Sequence, residues 1–212
     1  TLRSTSLSPI ITIIPNTQAQ RSSFNKIYIN KLFNSFLYHV SNYNNKIEIK
    51  NSNFYNILNS AIILTNANYT NLIVTHRTYN DDIIALNSCF SNCQAVSSNG
   101  GAIFIDRSIG SIDLKSTVFT HCTATGFGGA IASNAYSFTI NSCIFYMCES
   151  QDTGMAIFYN KEKFGGASYF NIKIEQNRFS NNEGKSNLLD LNCSEVVCTC
   201  CNMSYNKNKE HN

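Results

Sequence analysis

The 212-residue sequence predicts an all-β chain that winds into a parallel β-helix, and three observations lead to this prediction. Short segments in which apolar and polar residues alternate recur along the chain, and each is followed by a Phe. Gly, Asn and Ser separate these segments, as expected for turns between strands. No window of about 12 or more residues carries a clean helical stripe of apolar residues.

The Phe-anchored repeat joins an apolar–x–apolar triplet to a Phe four or five positions further on. Its copies are Ile27–Ile29 with Phe33, Ile47–Ile49 with Phe54, Ile84–Leu86 with Phe90, Ile112–Leu114 with Phe119, Phe138–Ile140 with Phe145, and Ile172–Ile174 with Phe179. A weaker seventh copy places Met203 at the Phe position. Because the Phe residues are separated by unequal intervals, we expect coils whose strands stay fixed while one turn varies in length. The Phe rings would then stack inside the coils.

A second repeat, Gly-Gly-Ala-Ile, lies between copies of the first. It occupies Gly100–Ile103 and Gly128–Ile131, with a weaker copy at Gly154–Ile157. Paired glycines predict a tight corner with positive φ, which a side chain would disfavour. Asn tolerates left-handed backbone and stacks as amide ladders, so Asn51, Asn87 and Asn141 are candidates for stacked turns.

These repeats divide the chain into three parts. Residues 1–23 carry both prolines and no copy of the motif, which suggests an N-terminal cap or a flexible lead. Residues 24–206 form the predicted parallel β-helix (solenoid) domain of about six or seven coils, each contributing about three strands to three sheets. Residues 207–212 are a polar tail.

The composition and charge of the chain exclude some classes of binding partner. Charged residues make up 14% of the chain, below the roughly 25% usual for globular domains, and 31 Asn and 25 Ser replace them. The net charge is +3 and no run of Lys or Arg forms a phosphate footprint, so no nucleic-acid partner is expected. No apolar stretch approaches the roughly 18 residues of a membrane span, so membrane attachment is expected only through segments outside this chain. The first residues lack a signal-peptide pattern and begin with Thr1, which suggests a fragment or a processed form.

Three of the nine cysteines, Cys93, Cys122 and Cys148, share one repeat register. Stacked coils would set their Cα atoms about 4.8 Å apart, within the range that a disulfide accepts. A column of free, half-buried thiols fits the same spacing, since free Cys packs as a small apolar residue. Both alternatives stay open at this point.

The C-terminal cysteines, Cys193, Cys198, Cys200 and Cys201, are numerous enough to suggest zinc. Structural zinc sites use paired Cys–x(2–4)–Cys knuckles, whereas the adjacent Cys200 and Cys201 would point to opposite faces of a strand. We therefore predict no metal site and assign these residues to disulfides or packing.

The candidates for catalysis are few. Asp81-Asp82 is the one acidic pair, in a stretch typical of a turn, and Asp106 and Asp113 follow in the next coil. Enzymes that cleave polysaccharides need clustered carboxylates, but we interpret these residues as solvated turn residues. The four histidines, which are His39, His76, His121 and His211, show no ligand spacing, and His121 is expected at an outward or corner position. We predict no catalytic residue, no cofactor and a chain that is not an enzyme.

Three Asn-x-Ser/Thr sequons, at Asn68, Asn192 and Asn202, are candidate N-glycosylation sites. They matter if the protein follows a eukaryotic secretory route.

The alternation of Gly-Gly-Ala-Ile with Phe-x-x-Asn, which is intact at Phe179–Asn182, resembles the repeats of chlamydial polymorphic outer membrane proteins. It is closer in style to related surface proteins of parasitic protists, because Cys replaces Asn at Phe90–Cys93, Phe119–Cys122 and Phe145–Cys148. The resemblance covers residues 84–182 well and 24–83 loosely. It implies a right-handed β-helix exposed at a cell surface, often as an adhesin.

The expected function is therefore that of a non-enzymatic β-helix segment of a cell-surface or secreted, extracellular protein. It would act as a structural stalk or an adhesin-like module for a host or cell-surface glycan or protein. The alternative is a carbohydrate-active enzyme, a polysaccharide lyase or glycoside hydrolase, which would need a groove with two or three carboxylates within about 10 Å. A third hypothesis is an intracellular scaffold with reduced cysteines.

Overall fold

The computed structural model describes residues 2–4, 11–13, 21–41, 46–66, 82–105, 111–133, 135, 137–160, 171–184, 187–192 and 195–208. These residues form 27 strands, numbered β1 to β27 in chain order, and they include no helix. The strands pair in parallel and build four sheets. The predicted all-β parallel solenoid is confirmed. Its right-handed sense and the number of coils stay predictions.

Three long sheets run the length of the described stack. Sheet 1 contains β3 (Arg21–Asn25), β6 (Lys46–Lys50), β9 (Asp82–Leu86), β13 (Ser111–Lys115), β17 (Ser137–Asn141), β21 (Asn171–Glu175) and β25 (Glu195–Thr199). Sheet 2 contains β1 (Leu2–Ser4), β4 (Tyr28–Leu32), β7 (Asn53–Ile57), β10 (Cys89–Ser91), β14 (Val118–Thr120), β18 (Ile144–Tyr146), β22 (Arg178–Ser180) and β26 (Asn202–Ser204). Sheet 4, the last that each coil visits, contains β2 (Ile11–Ile13), β5 (Leu37–Ser41), β8 (Ile62–Asn66), β12 (Ile103–Ile105), β16 (Ile131–Ser133), β20 (Ile157–Asn160) and β24 (Leu189–Asn192).

A fourth sheet was not among the three predicted. Sheet 3 follows sheet 2 in each coil and contains β11 (Gln94–Ala95), β15 (Thr123–Ala124), β19 (Glu149–Ser150), β23 (Glu183–Gly184) and β27 (Lys207–Asn208). Its two-residue strands are too short to produce an alternating pattern in the sequence, which is why the pattern predicts three sheets.

The variable connection lies between sheet 4 and sheet 1. It is short from Asn192 to Glu195 and long from Asn66 to Asp82, whereas two residues separate sheet 1 from sheet 2 in each coil from β3 onward. The strand register continues unbroken across both kinds of coil. The unequal Phe intervals therefore reflect mainly this corner, with a smaller variation in the path from sheet 2 to sheet 4, which is shorter from Ile57 to Ile62 than from Ser91 to Ile103.

The predicted ladder of Phe rings is confirmed. Five fully buried rings stack through the interior with centroid separations of 4.8 to 5.2 Å and interplanar angles of 5 to 9°. They belong to Phe54, Phe90, Phe119, Phe145 and Phe179. Met203 is the register partner of Phe179, as predicted, and is 48% exposed at the end of the described stack.

The N-terminal end of this ladder corrects the prediction. Phe33 is 56% exposed, and Ile29 is the register partner of Phe54. The ring that packs on Phe54 comes instead from Phe36, just before β5, at a centroid separation of 5.1 Å. Phe24 then meets Phe36 edge-on. An aromatic ring from another part of the coil therefore fills the volume beside Ile29.

Two of the apolar triplets are also displaced. The inward residues of β9 are Ile83 and Ala85, so the Ile84–Leu86 prediction was wrong by one position. In the coil that begins with β3, Ser22 and Phe24 are the register partners of Ile47 and Ile49. They hold the positions that were predicted for the Ile27–Ile29 triplet. The other four triplets lie at the predicted positions, and both residues of each face inward.

The amide ladder is confirmed for two of its three candidates. Asn51 and Asn87 adopt φ of 50° and 48°, and their side chains are linked by a hydrogen bond of 3.4 Å. Asn141 is the last residue of β17, and Ser142 takes the left-handed position instead. Asn141 donates to Glu175 Oε2 at 3.2 Å.

Strands occur in both terminal segments of the predicted division. In the 1–23 segment, β1 pairs with β4 and β2 pairs with β5, and the boundary at residue 23 falls inside β3. The 207–212 segment begins with β27, which pairs with β23.

Candidate functional site

One turn builds two of the corners in nearly every coil: a residue in the left-handed conformation, then a small polar residue that points inward. Between sheets 1 and 2 the second residue is Ser52, Ser88, Thr117, Cys143, Asn177 or Cys201. Between sheets 2 and 3 it is Cys93, Cys122, Cys148, Asn182 or Asn206. Left-handed backbone breaks the strand, and the inward side chain satisfies carbonyl oxygens that the bend exposes.

The hydrogen bonds show what this position requires. The Cys122 thiol donates to the carbonyl of Thr120 and to that of Phe90 in the preceding coil, both at 3.6 Å. Asn182 Nδ2 donates to the Phe145 carbonyl at 3.2 Å in the same way. From Cys93 onward, the position between sheets 2 and 3 therefore holds a short side chain with a donor. This accounts for Cys in place of Asn in the Phe-x-x-Asn motif.

The thiols of Cys93, Cys122 and Cys148 form a buried column of free cysteines. No disulfide joins any pair of the described cysteines. Burial raises the pKa of Cys93 and of Cys148, because the thiolate would lose its hydration. Burial likewise raises the pKa of Cys143 to about 12. The Cys93, Cys143 and Cys148 thiols thus stay protonated, which keeps them as donors and makes them poor nucleophiles.

The C-terminal cysteines lie on the last described strands. Cys198 and Cys200 are exposed and Cys201 is half-buried, while Cys193 lies outside the described residues. Cys201 donates to the Ile174 carbonyl at 3.6 Å, so it repeats the corner role of the other donors. Within the described residues, no group of three or more His, Cys, Asp or Glu side chains is arranged to hold a metal ion.

The glycine pairs serve two different needs. Gly100, Gly128 and Gly154 have φ of 63 to 70°, as the tight-corner prediction requires. A Cβ on Gly129 would lie 2.2 Å from the Met155 carbonyl oxygen of the next coil. The first glycine provides the bend, and the second allows close approach of adjacent coils.

The side of the solenoid at sheet 3 carries two shallow, open cavities. One, of about 230 Å³, is lined by β11, β15 and β19, including Gln94, Thr123 and Glu149. The other, of about 280 Å³, shares Thr123 and Glu149 and adds His121 and Glu183. Parallel pairing sets Gln94, Thr123, Glu149, Glu183 and Lys207 in one column, about 4.8 Å apart. The column is a continuous polar strip that faces solvent.

Sequence reasoning missed this strip. Glu149 and Glu183 are 34 positions apart, and strand register alone brings them together. The signal available in the sequence was their common position, four residues after the Phe of each copy.

Of the described candidates for catalysis, Asp82 and Asp113 lie on sheet 1, whereas His121 lines the second cavity of the strip. Asp82 begins β9 and is therefore in a strand, not in the predicted turn, and Asp113 lies in β13 of the same sheet. Asp81, Asp106, His76 and His211 lie outside the described residues, and His39 lies in β5. His121 is at the predicted corner, with φ of 51°, a hydrogen bond to Thr120 Oγ1 at 2.7 Å and an exposed ring.

The sequons differ in position. Asn202 is exposed in β26, and Asn192 is the last residue of β24. Asn68 lies outside the described residues.

Comparisons with known proteins yield no match: no family model, no curated protein and no solved structure is similar to this chain. Among the described residues, no helix has the length and apolar character needed to cross a membrane.

Proposed function

We propose that this chain is a non-enzymatic β-solenoid segment of a cell-surface or secreted protein, which binds a glycan along its sheet 3 side. The observation that carries the proposal is the column of polar side chains between Gln94 and Lys207, repeated at the coil spacing. A linear ligand with repeating units can contact such a column at several successive positions. Several weak contacts made by one ligand then give a higher overall affinity than any single contact does.

The chemistry of the strip suits a polar ligand. Both cavities are shallow and combine amide, hydroxyl and carboxylate groups with apolar groups, which come from Ala95 and Ala124 in the first cavity and from Met147 in the second. Small-molecule sites are usually deep and mostly apolar, whereas hydroxyl-rich ligands are bound through many hydrogen bonds on a wetted surface. A glycan is therefore a better fit than a compact cofactor.

The interior gives further support for a structural role. The buried thiols, hydroxyls and amides at the two corners donate hydrogen bonds to backbone carbonyl oxygens. These polar groups stabilise the stack and are not directed at a substrate. The resemblance of the repeat to polymorphic outer membrane proteins favours a surface location, and the exposed Asn202 offers an accessible glycosylation site.

A glycan array tests the binding half of the proposal. The purified chain should bind a restricted set of glycans, and Thr123→Arg should abolish binding because Thr123 lines both cavities. Thr139→Arg, on sheet 1, is the matched control and should bind like the native chain. Silence of the native chain on the array, or equal binding by Thr123→Arg, would reject a glycan site here.

The competing enzyme hypothesis has one observation in its favour. Glu149 and Glu183 are neighbours in register and line the same cavity as His121, and a carboxylate pair is the minimum for glycoside cleavage. Incubating the chain with the glycans it binds, and assaying new reducing ends, decides between the two. Release that disappears in Glu149→Gln and Glu183→Gln would establish an enzyme, and intact glycans support the binding module.

The intracellular hypothesis rests on the free cysteines. Eight described thiols are unbridged, which matches a reducing compartment. Burial of four of the thiols fits either compartment, so the location needs direct measurement. Expression of the full-length protein in its own cells, with antibody labelling before and after permeabilisation, distinguishes surface exposure from an intracellular scaffold.

A further inference from the structure

We propose that the outer face of β3 and β6 is a second binding site, specific for a polyanionic glycan that carries sulfate or carboxylate groups. The site lies on sheet 1, not on the sheet 3 strip. Its ligand and its test are therefore independent of the function proposed above.

Three cations surround one carboxylate in these two strands. Glu48 is contacted by Arg21 Nη2 at 2.8 Å, Lys50 Nζ at 3.1 Å and Lys46 Nζ at 3.6 Å. The Glu48 side chain is 5% exposed beneath them, whereas the three cations are 65, 35 and 41% exposed. One negative charge therefore holds three positive charges at the surface, which leaves a formal charge of +2 on the cluster.

The three cations of the cluster carry more N–H donors than the Glu48 carboxylate can accept. A Lys ammonium carries three N–H donors and a guanidinium carries five, while Glu48 offers two oxygens. The remaining N–H groups of Arg21, Lys46 and Lys50 face solvent. Guanidinium and ammonium groups make their strongest hydrogen bonds with anionic oxygens, so sulfate and carboxylate groups are the matching ligands.

The rest of sheet 1 lacks this charge. At the corresponding register positions from β9 to β25, the charged residues are four acidic and two basic: Asp82, Asp113, Glu175, Glu195, Lys115 and Lys173. Asp82 is the register partner of Lys46 and marks the edge of the cluster. Two further cations, Lys26 and Lys31, are exposed in the same coil as Arg21. The positive field is therefore concentrated on two strands of one face, where it steers an anionic ligand to one place.

A glycan fits this face better than a nucleic acid. The outward residues of β3 and β6 are Arg21, Ser23, Asn25, Lys46, Glu48 and Lys50. None of these six is aromatic, so nucleobases find no surface on which to stack. Two strands span only about 5 Å between their axes, which suits one extended polysaccharide chain more than a duplex.

The test measures binding of a fluorescent heparin dodecasaccharide by the full chain at low and at physiological salt. Lys46→Gln/Lys50→Gln should weaken binding by about tenfold or more, and raised salt should weaken binding by the native chain. The matched control, Lys115→Gln/Lys173→Gln, removes the same charge from the same sheet and should stay within about twofold of native affinity.

Further variants separate the outcomes. Lys46→Arg/Lys50→Arg keeps the charge and should bind like the native chain, which guards against misreading a folding defect. Thr123→Arg should lose the sheet 3 ligand and keep heparin. The proposal is overturned if Lys46→Gln/Lys50→Gln binds normally while folded, if the Lys115/Lys173 control loses as much, or if duplex DNA of matched charge binds as tightly as heparin.

Discussion

The N-terminal coils (21–66) and the central coils (82–160) reach the same solenoid by different means. In the central coils, Phe90, Phe119 and Phe145 stack directly, glycine pairs form tight corners, and sheet 3 is present. In the N-terminal coils, Phe54 is a ladder ring, but its register partner in the preceding coil is Ile29, and the ring packed on Phe54 comes from Phe36. The comparison shows that the backbone register is maintained when the volume that fills the interior comes from a different residue.

The corners make the same point. Thiols satisfy the bend between sheets 2 and 3 in the central coils, whereas hydroxyl groups satisfy the bend between sheets 1 and 2 at Ser52 in the N-terminal coils and at Ser88 in the central coils. Amide ladders through Asn25, Asn51 and Asn87 add hydrogen bonds between those coils. From Cys93 onward, each described corner between sheets 2 and 3 carries a donor on a short side chain, whereas buried Leu32 and Ile57 follow the same left-handed turn in the N-terminal coils.

The largest expected effect comes from removing a ring at the centre of the ladder. Phe119→Ala deletes a fully buried ring that stacks on both neighbours, and should lower the free energy of unfolding by about 3–5 kcal/mol. Phe33→Ala, at an exposed ring of the N-terminal coils, should change it by less than about 0.5 kcal/mol. Urea denaturation followed by circular dichroism measures both.

Phe36→Ala sharpens the comparison. If the Phe36 ring substitutes for a ladder ring, its loss should destabilise the N-terminal coils by about the same amount as loss of a ladder Phe. A near-neutral Phe36→Ala would mean that the N-terminal coils do not depend on it. Hydrogen exchange of the β4 and β7 amides locates the effect.

The second effect concerns the close approach of central coils. Gly129→Ala places a Cβ against the Met155 carbonyl and should cost about 1–3 kcal/mol, as overpacking does. In Gly126→Ala, the matched control, the new Cβ meets the Asn99 side chain, which can move. We expect the control to cost less, and the thermal midpoints of the two variants would contradict this if they were equal.

The third effect tests the donor rule at the corners. Cys122→Ala leaves the Phe90 and Thr120 carbonyls without their side-chain donor and should cost about 1–3 kcal/mol. Cys122→Ser and Cys122→Asn keep a donor, as Ser88 and Asn182 do, and should retain more stability than the Ala variant. Equal losses in all three variants would show that packing of the sulfur, not hydrogen bonding, governs this position.

The smallest effect is a pH dependence confined to the N-terminal coils. The Arg21 and Lys50 side chains lower the pKa of Glu48 from 4.5 to about 2. Because the folded pKa is depressed, the ionised group contributes stability above about pH 4.5, and that contribution is lost as the pH falls through about 2. Glu48→Gln should therefore be less stable than the native chain at neutral pH, and the difference should shrink toward pH 2. A difference in thermal midpoint that stays constant from pH 7 to pH 2 would contradict this.

Local pattern was sufficient to predict much of this fold. Alternation in Ile112–Leu114 and Ile172–Ile174 sets the inward face of sheet 1, and the recurrent Phe predicts the ladder. The pattern fails at residues 82–86, Asp-Ile-Ile-Ala-Leu, where apolar residues occupy both faces. Pairing with Ile47 and Ile49 on the neighbouring strand decides that register, and a single window of sequence does not contain this information.

The candidate sites were harder to predict for the same reason. The sheet 3 strip and the Arg21–Glu48 pair join residues that are 24 to 34 positions apart, and unequal loops hide their common register. In the sequence, Lys46, Glu48 and Lys50 look like the solvated face of a strand. Arg21 of the preceding strand, which needs the three-dimensional register to be placed, turns that face into a cluster.

The uneven corner between sheets 4 and 1 has a practical consequence. The short link from Asn192 to Glu195 and the long one from Asn66 to Asp82 both leave the neighbouring pairing in register. Foreign peptides could accordingly be grafted into this corner of several coils at once. The grafted peptides would then lie along a single edge of the solenoid, separated by whole multiples of the distance between adjacent strands.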